Sequence, residues 1–115
     1  MNSEWWQWAV PVALVIAFVV FKRLGQISSE QARRLVNEGA TLVDVRSVAE
    51  FSSGHLPGAL NIPLGELEQQ LAKLGAKERP VVLYCASGTR SAMARSKLQS
   101  LGFTQVFNLG SMGRW

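Results

Sequence analysis

The chain has 115 residues and a net charge of +4, enough for one modest domain. A single cysteine excludes an intramolecular disulfide, a CxxC redox pair and a cysteine-rich zinc site. One histidine and eight scattered acids leave little for a metal site, and no cofactor is expected. The mild basic excess suits anionic small substrates or an anionic membrane surface. Nucleic acid is disfavoured, because Lys and Arg form no cluster with interleaved aromatics.

Residues 5–21 carry no charged side chain, and Gln7 is their only strongly polar one. That run lies at the low end of the roughly 17–25 residues that span a bilayer. Continuing the helix through Lys22 and Arg23 to Leu24 lengthens it, with the two cations snorkelling. Trp5, Trp6 and Trp8 cluster at one end as an interfacial belt would, and Pro11 is expected to kink the early turns. The leader Met1-Asn2-Ser3-Glu4 lacks the basic start of a signal peptide, and Phe21-Lys22-Arg23-Leu24 offers no small-residue cleavage site. No polar face interrupts residues 10–21, against both a core helix and an interfacial one. The expected organisation is therefore a transmembrane anchor over 1–24 and a separate domain over 25–115. Lys22, Arg23, Arg33 and Arg34 follow the span and only Glu4 precedes it, so an inner or plasma membrane would hold the domain on its cytoplasmic side. That compartment is reducing, in agreement with a free thiol.

Beyond the anchor, Ser28-Ser29-Glu30 opens a helix with Ala32, Leu35 and Val36 on one stripe, ending at Glu38-Gly39. Residues 41–45 read as a strand, 47–51 as a short helix, and 54–58 as a turn dense in breakers. A strand is expected over 59–62. A helix over 66–74 would present Leu67, Leu71 and Leu74 on one face. Val81-Val82-Leu83-Tyr84 is a buried strand ended by Cys85, residues 91–101 a helix, and Val106-Phe107 a last short strand. Strands alternate with helices and are apolar on both faces, which indicates an α/β domain with a mainly parallel sheet flanked by helices on both sides. Ligands of such sheets bind beyond the carboxyl ends of the strands. Cys85 lies at one such end and Asp44-Val45-Arg46 at another, so these two loops are expected to share a site.

The loop Cys85-Ala86-Ser87-Gly88-Thr89-Arg90 carries the chemistry. A thiol between a strand end and a helix start faces backbone N–H groups and the positive end of the helix dipole, which lowers its pKa. Arg90 adds a fixed positive charge, and Gly88 lets the loop curl its N–H groups inward. Ser87, Thr89 and Ser91 are candidate helix caps. A lone cysteine is often only a small buried hydrophobe. That reading leaves the flanking glycine and arginine unexplained.

The chain resembles the single-domain, membrane-anchored rhodaneses (thiosulfate sulfurtransferases). The matching stretches are Asp44-Val45-Arg46, Glu50-Phe51, Gly54-His55-Leu56-Pro57-Gly58-Ala59, Asn61-Ile62-Pro63, the Cys85 loop through Ser91, and Gly102-Phe103 leading to Val106 and Asn108-Leu109-Gly110. The resemblance spans residues 26–115. It implies a five-stranded rhodanese-like sheet and covalent sulfur transfer. Cys85 would take sulfur from thiosulfate or a similar donor and pass it, as a persulfide, to cyanide or another external thiol. Ala86, Ser87, Gly88, Thr89 and Ser91 would cradle the persulfide, and Arg90 would bind the anionic donor or fix the loop by pairing with an acid. Asp44 and Arg46 would form a bracing ion pair, and Glu50 would pair with Arg46 or cap a turn. His55 would make a structural hydrogen bond, and Tyr84 would pack within its strand. From Cys85 to Arg90 the loop counts six residues, one fewer than in cysteine phosphatases, whose wider cradle suits a phosphoryl group. A non-catalytic binding module of the same fold is the other alternative, against which the retained Cys85 and Arg90 speak. Two departures stand out: Ser111 replaces a second tail glycine, and the family pattern commonly continues beyond the residue matching Trp115, so the last helix is expected to be short.

Overall fold

A computed structural model describes residues 4–115; Met1, Asn2 and Ser3 of the leader lie outside the described residues. The order of elements is helix α1 (Trp6–Arg23), α2 (Ser29–Asn37), strand β1 (Thr41–Asp44), α3 (Val48–Ser52), β2 (Leu60–Asn61), β3 (Val81–Cys85), α4 (Thr89–Ser100) and β4 (Val106–Ser111). Every strand pairing is parallel, in the order β2-β1-β3-β4.

The sheet has four strands, not the five that the resemblance implied. What remains of a fifth is one parallel bridge, Gln26 to Asn108. The physical reason is room. Gly25 turns the chain out of α1 with φ +66°, and Ser28 already caps α2, so no extended run fits between them.

β3 is buried along its whole length, as a central parallel strand must be. Its side chains alternate between two cores. Val81, Leu83 and Cys85 join Val43, Ile62 and Leu98 on one face. Val82 and Tyr84 join Ala32, Leu42 and Leu109 on the other. The period of two therefore fixes which face Cys85 shares, and its position at the strand end sets it beside the turn into α4.

Three other elements differ from the sequence reading. The helix expected over 66–74 is a pair of 3-10 helices, Leu64–Glu66 and Glu68–Leu74, the second kinked at Gln70. The pattern still delivers Leu67 and Leu74 to the core, and short 3-10 pieces suffice for that. β4 runs on to Ser111, well past the expected Val106-Phe107, because its register slips between Leu83 and Tyr84 and then continues as Tyr84–Gly110 and Cys85–Ser111. α1 runs on through Pro11, which lacks the N–H that would reach the Gln7 carbonyl, and the helix continues on either side of it.

α1 buries none of its residues, and large apolar side chains such as Leu14, Ile16 and Phe18 stand exposed. At about 1.5 Å per residue its 18 residues are long and apolar enough to cross a bilayer's hydrocarbon layer. Length and composition fit an anchor and a signal sequence alike. Its carboxyl end is fastened to the sheet. The Asn108 amide Nδ2 donates to the Lys22 carbonyl at 3.4 Å, the Asn108 N–H to Gly25 O at 2.9 Å, and the Ile27 N–H to Asn108 O at 2.9 Å.

Candidate active site

Two strand-to-helix turns meet at the carboxyl end of the sheet, as the topology requires. In the first, β1 ends at Asp44, which is fully buried. Its carboxylate accepts from the Arg46 N–H (2.8 Å), Nε (3.0 Å) and Nη2 (2.7 Å). Arg46 Nη2 also donates to Gly54 O at 2.7 Å, tying the turn at 54–58 back to the strand. Asn61 Nδ2 donates to the carbonyls of both Asp44 (3.1 Å) and Arg46 (3.0 Å). The Asp44–Arg46 pair thus braces the loop and points nothing reactive toward Cys85. Tyr84, buried beneath it, accepts the Leu56 N–H at 3.0 Å, and burial pushes its phenol up to about 12. His55 stacks on Phe51 and hydrogen-bonds through Nδ1 to Phe51 O at 2.8 Å, a role local to its own turn.

α3 begins with a capping box. Ser47 Oγ accepts the Glu50 N–H, and Glu50 Oε1 accepts the Ser47 N–H, each at 3.2 Å. The Glu50 carboxylate also receives both Arg90 nitrogens, Nη1 at 2.7 Å and Nη2 at 2.9 Å. Glu50 therefore caps a turn, as one alternative held, but its cation is Arg90 and not Arg46. The Arg90 guanidinium, then the Ser47 N–H, hold the Glu50 carboxyl down at about 2. A fork-to-fork pair of this kind fixes the direction of Arg90 as well as its charge.

The second turn is tighter than the sequence suggested. α4 starts at Thr89, so Thr89 and Arg90 belong to its first turn. Its N-cap is Gly88 with φ +97°, and no side-chain oxygen caps it. Ser87 and Thr89 are not caps. The acceptor is the cysteine sulfur. Cys85 Sγ receives the Gly88 N–H at 2.9 Å and the Ser91 N–H at 3.4 Å. Ser91 Oγ lies 3.5 Å from Sγ and 3.1 Å from Gly88 O, so its single proton serves one acceptor at a time. Burial pushes the Cys85 thiol up, but the hydrogen bonds from the Ser91 hydroxyl and from the Ser91 and Gly88 N–H groups outweigh it. The net direction is downward, toward thiolate. Ala86 and Ser87 are exposed at the rim, while Cys85, Gly88 and Ser91 are buried beneath it. At the floor of the loop, Sγ is thus surrounded by donors that favour its anionic form. Among the described residues no group of three or more His, Cys, Asp or Glu side chains could hold a metal ion.

A cavity of about 590 Å³ adjoins this loop, lined by Ser87 together with Lys22, Arg23, Gln26, Ser111 and Arg114. None of these except Ser87 figured in the sequence reading of the site. Their proximity depends on where α1 docks, which no local pattern records.

Comparison with known proteins agrees with this geometry. The family model described as "Rhodanese-like domain" matches residues 28–115. A sulfurtransferase from Allochromatium vinosum is 37% identical over 95 residues, covering 80% of this chain and 88% of its own. The human thiosulfate:glutathione sulfurtransferase is 36% identical over 104 residues, covering 77% and 90%. The solved structure of a human single-domain sulfurtransferase superposes with a TM-score of 0.66 at 35% identity, covering 79% of this chain and 91% of that one.

Proposed function

Because the chain belongs to the rhodanese-like domain family, we propose that it is a sulfurtransferase in which Cys85 carries the sulfur. The observation that carries this reading is the convergence of the Gly88 and Ser91 N–H groups on Cys85 Sγ. Those donors stabilise a thiolate before reaction and a persulfide after it.

The donor is thiosulfate or a similar sulfane compound. The Cys85 thiolate attacks the outer sulfur, a new S–S bond forms at Sγ, and the donor's S–S bond breaks with its electron pair leaving on sulfite. The charge left on Cys85 resides on the terminal persulfide sulfur. An acceptor then attacks that sulfur: cyanide leaves as thiocyanate, or a thiolate leaves as a persulfide, and the Cys85 thiolate is restored. No second cysteine exists in the chain, so the acceptor comes from outside. The human relative named above supports a small thiol in that role. Ala86, Ser87, Gly88, Thr89 and Ser91 form the cradle. Arg90, held by Glu50, keeps a positive charge beside the incoming anion.

The same reading takes residues 1–24 as a membrane anchor and 25–115 as the catalytic domain. It rests on the apolar side chains of α1, none of which is buried. The cations that follow α1 favour a cytoplasmic domain.

The test is intact mass after incubating the full chain with thiosulfate. The wild type gains one sulfur atom and Cys85→Ser gains none, with an unchanged far-UV spectrum. A folded, reduced wild type that gains no sulfur would overturn the reading.

A further inference from the structure

The cavity beside the Cys85 loop straddles the edge of the matched family domain, with Phe18 and Val19 of α1 also in its wall. Lys22 and Arg23 come from the end of α1, Gln26 from the single bridge, Ser111 from the end of β4, and Arg114 from the turn after it. It contains three cations and no acid. Among the described residues no carboxylate pairs with Lys22, Arg23 or Arg114. The other two cations of the site, Arg46 and Arg90, each have a carboxylate partner, Asp44 and Glu50.

The cavity is also coupled to the nucleophile. Ser87 forms part of its wall, and the next residue, Gly88, donates its N–H to Cys85 Sγ at 2.9 Å. The Lys22 chain crosses Gly88 so closely that a β-carbon there would lie 3.2 Å from Lys22 Cε. Ser111 is the register partner of Cys85 across the sheet. Asn108, hydrogen-bonded to the Lys22 carbonyl and to Gly25, holds α1 in this position.

From this we propose that the end of α1 completes the donor site, with Lys22, Arg23 and Arg114 forming an anion-receiving vestibule from which a sulfonate-bearing sulfur donor delivers its outer sulfur across Ser87 to Cys85. The inference rests on the sulfur-transfer reading and adds residues outside the matched domain to the machinery. The chemistry calls for them. Attack brings a thiolate against a donor that is itself a dianion, and the leaving sulfite remains doubly charged. A pocket with uncompensated positive charge lowers the cost of that encounter and raises the local donor concentration. The same cations would also suit a lipid phosphate headgroup, so the experiment separates the two.

Full-length protein in neutral-detergent micelles is assayed with thiosulfate and cyanide. Replacing both cations of α1, Lys22→Gln with Arg23→Gln, should raise the KM for thiosulfate about tenfold and flatten its dependence on salt. It should leave kcat within about twofold, because the loop that holds the sulfur is untouched. Alkylation of Cys85 by iodoacetamide, a neutral probe, should keep its rate, and Lys73→Gln, on a distant exposed surface, should change nothing. An unchanged KM would overturn the inference, as would alkylation slowed in step with turnover, which marks a disturbed loop. Unchanged KM with lost binding to phosphatidylglycerol vesicles would assign the cations to lipid instead. A wild type that gains no sulfur from thiosulfate would overturn the sulfur-transfer reading itself.

Discussion

The β1–α3 and β3–α4 turns solve the same problem in different ways. Each follows a buried parallel strand, and each must satisfy the free N–H groups at the start of a helix. In the first, Ser47 accepts the N–H of the third helical residue, Glu50, and the loop's remaining charges pair with one another. In the second, the N–H of the third helical residue, Ser91, goes to Cys85 Sγ, and the N-cap position is a glycine with no side chain to offer. The capping task has passed from an inert hydroxyl to a sulfur. One turn is therefore closed and structural, while the other keeps its helix terminus trained on a nucleophile. Glu50 joins them, since the carboxylate that completes the first cap also holds Arg90 in the second helix.

The sharpest way to break this division is to damage the structural turn. Asp44→Ala would leave the Arg46 guanidinium buried without its carboxylate and should cost about 3–5 kcal/mol of stability. Chemical denaturation would show it, and native Cys85 should still take up sulfur wherever the variant remains folded. An unchanged denaturation midpoint would contradict the bracing role. Cutting the link between the turns is milder. Arg90→Ala should slow sulfur transfer by roughly tenfold, because the charge beside the loop and its orientation are both lost. Arg90→Lys, which keeps the charge but not the fork, should recover part of that loss. Ser47→Ala removes only a cap and should cost about 1 kcal/mol with little effect on turnover. A large activity loss from that change would mean the two turns are less separable than described.

Much of this was legible in the sequence because the governing interactions are local. The unbroken apolar run 81–84 announces a central strand, Ser28 and Ser47 announce helix starts, and a cysteine followed within three residues by a glycine announces an inward-curling loop. The Asp44–Arg46 pair came with the family resemblance, and the structure forms it between residues two apart at a strand end. What could not be read depends on distance in the chain. Glu50 and Arg90 are 40 residues apart, and only the sheet order places their loops side by side. The fifth strand failed because only two residues lie between Gly25 and Ser28, bounded by one positive φ and one cap. The replacement of a helix by kinked 3-10 turns over 64–74 is invisible to periodicity, since both bury the same leucines. Lys22 read only as a snorkelling cation, because its neighbour Gly88 is supplied by the docking of α1.

The pH dependence of Cys85 alkylation tests most directly whether the sulfur has taken over the cap. Its folded pKa is depressed, so the loop's hydrogen bonds contribute stability that is fully present above the unfolded pKa and is lost as pH falls through the folded one. Iodoacetamide reacts with thiolate, so its rate on the native chain should reach half-maximum at a pH below that of the same chain in denaturant. Ser91→Ala, which removes the hydroxyl 3.5 Å from Sγ, should move that midpoint upward. A native midpoint equal to or above the denatured one would show that burial prevails over the loop's N–H groups, and would contradict the account.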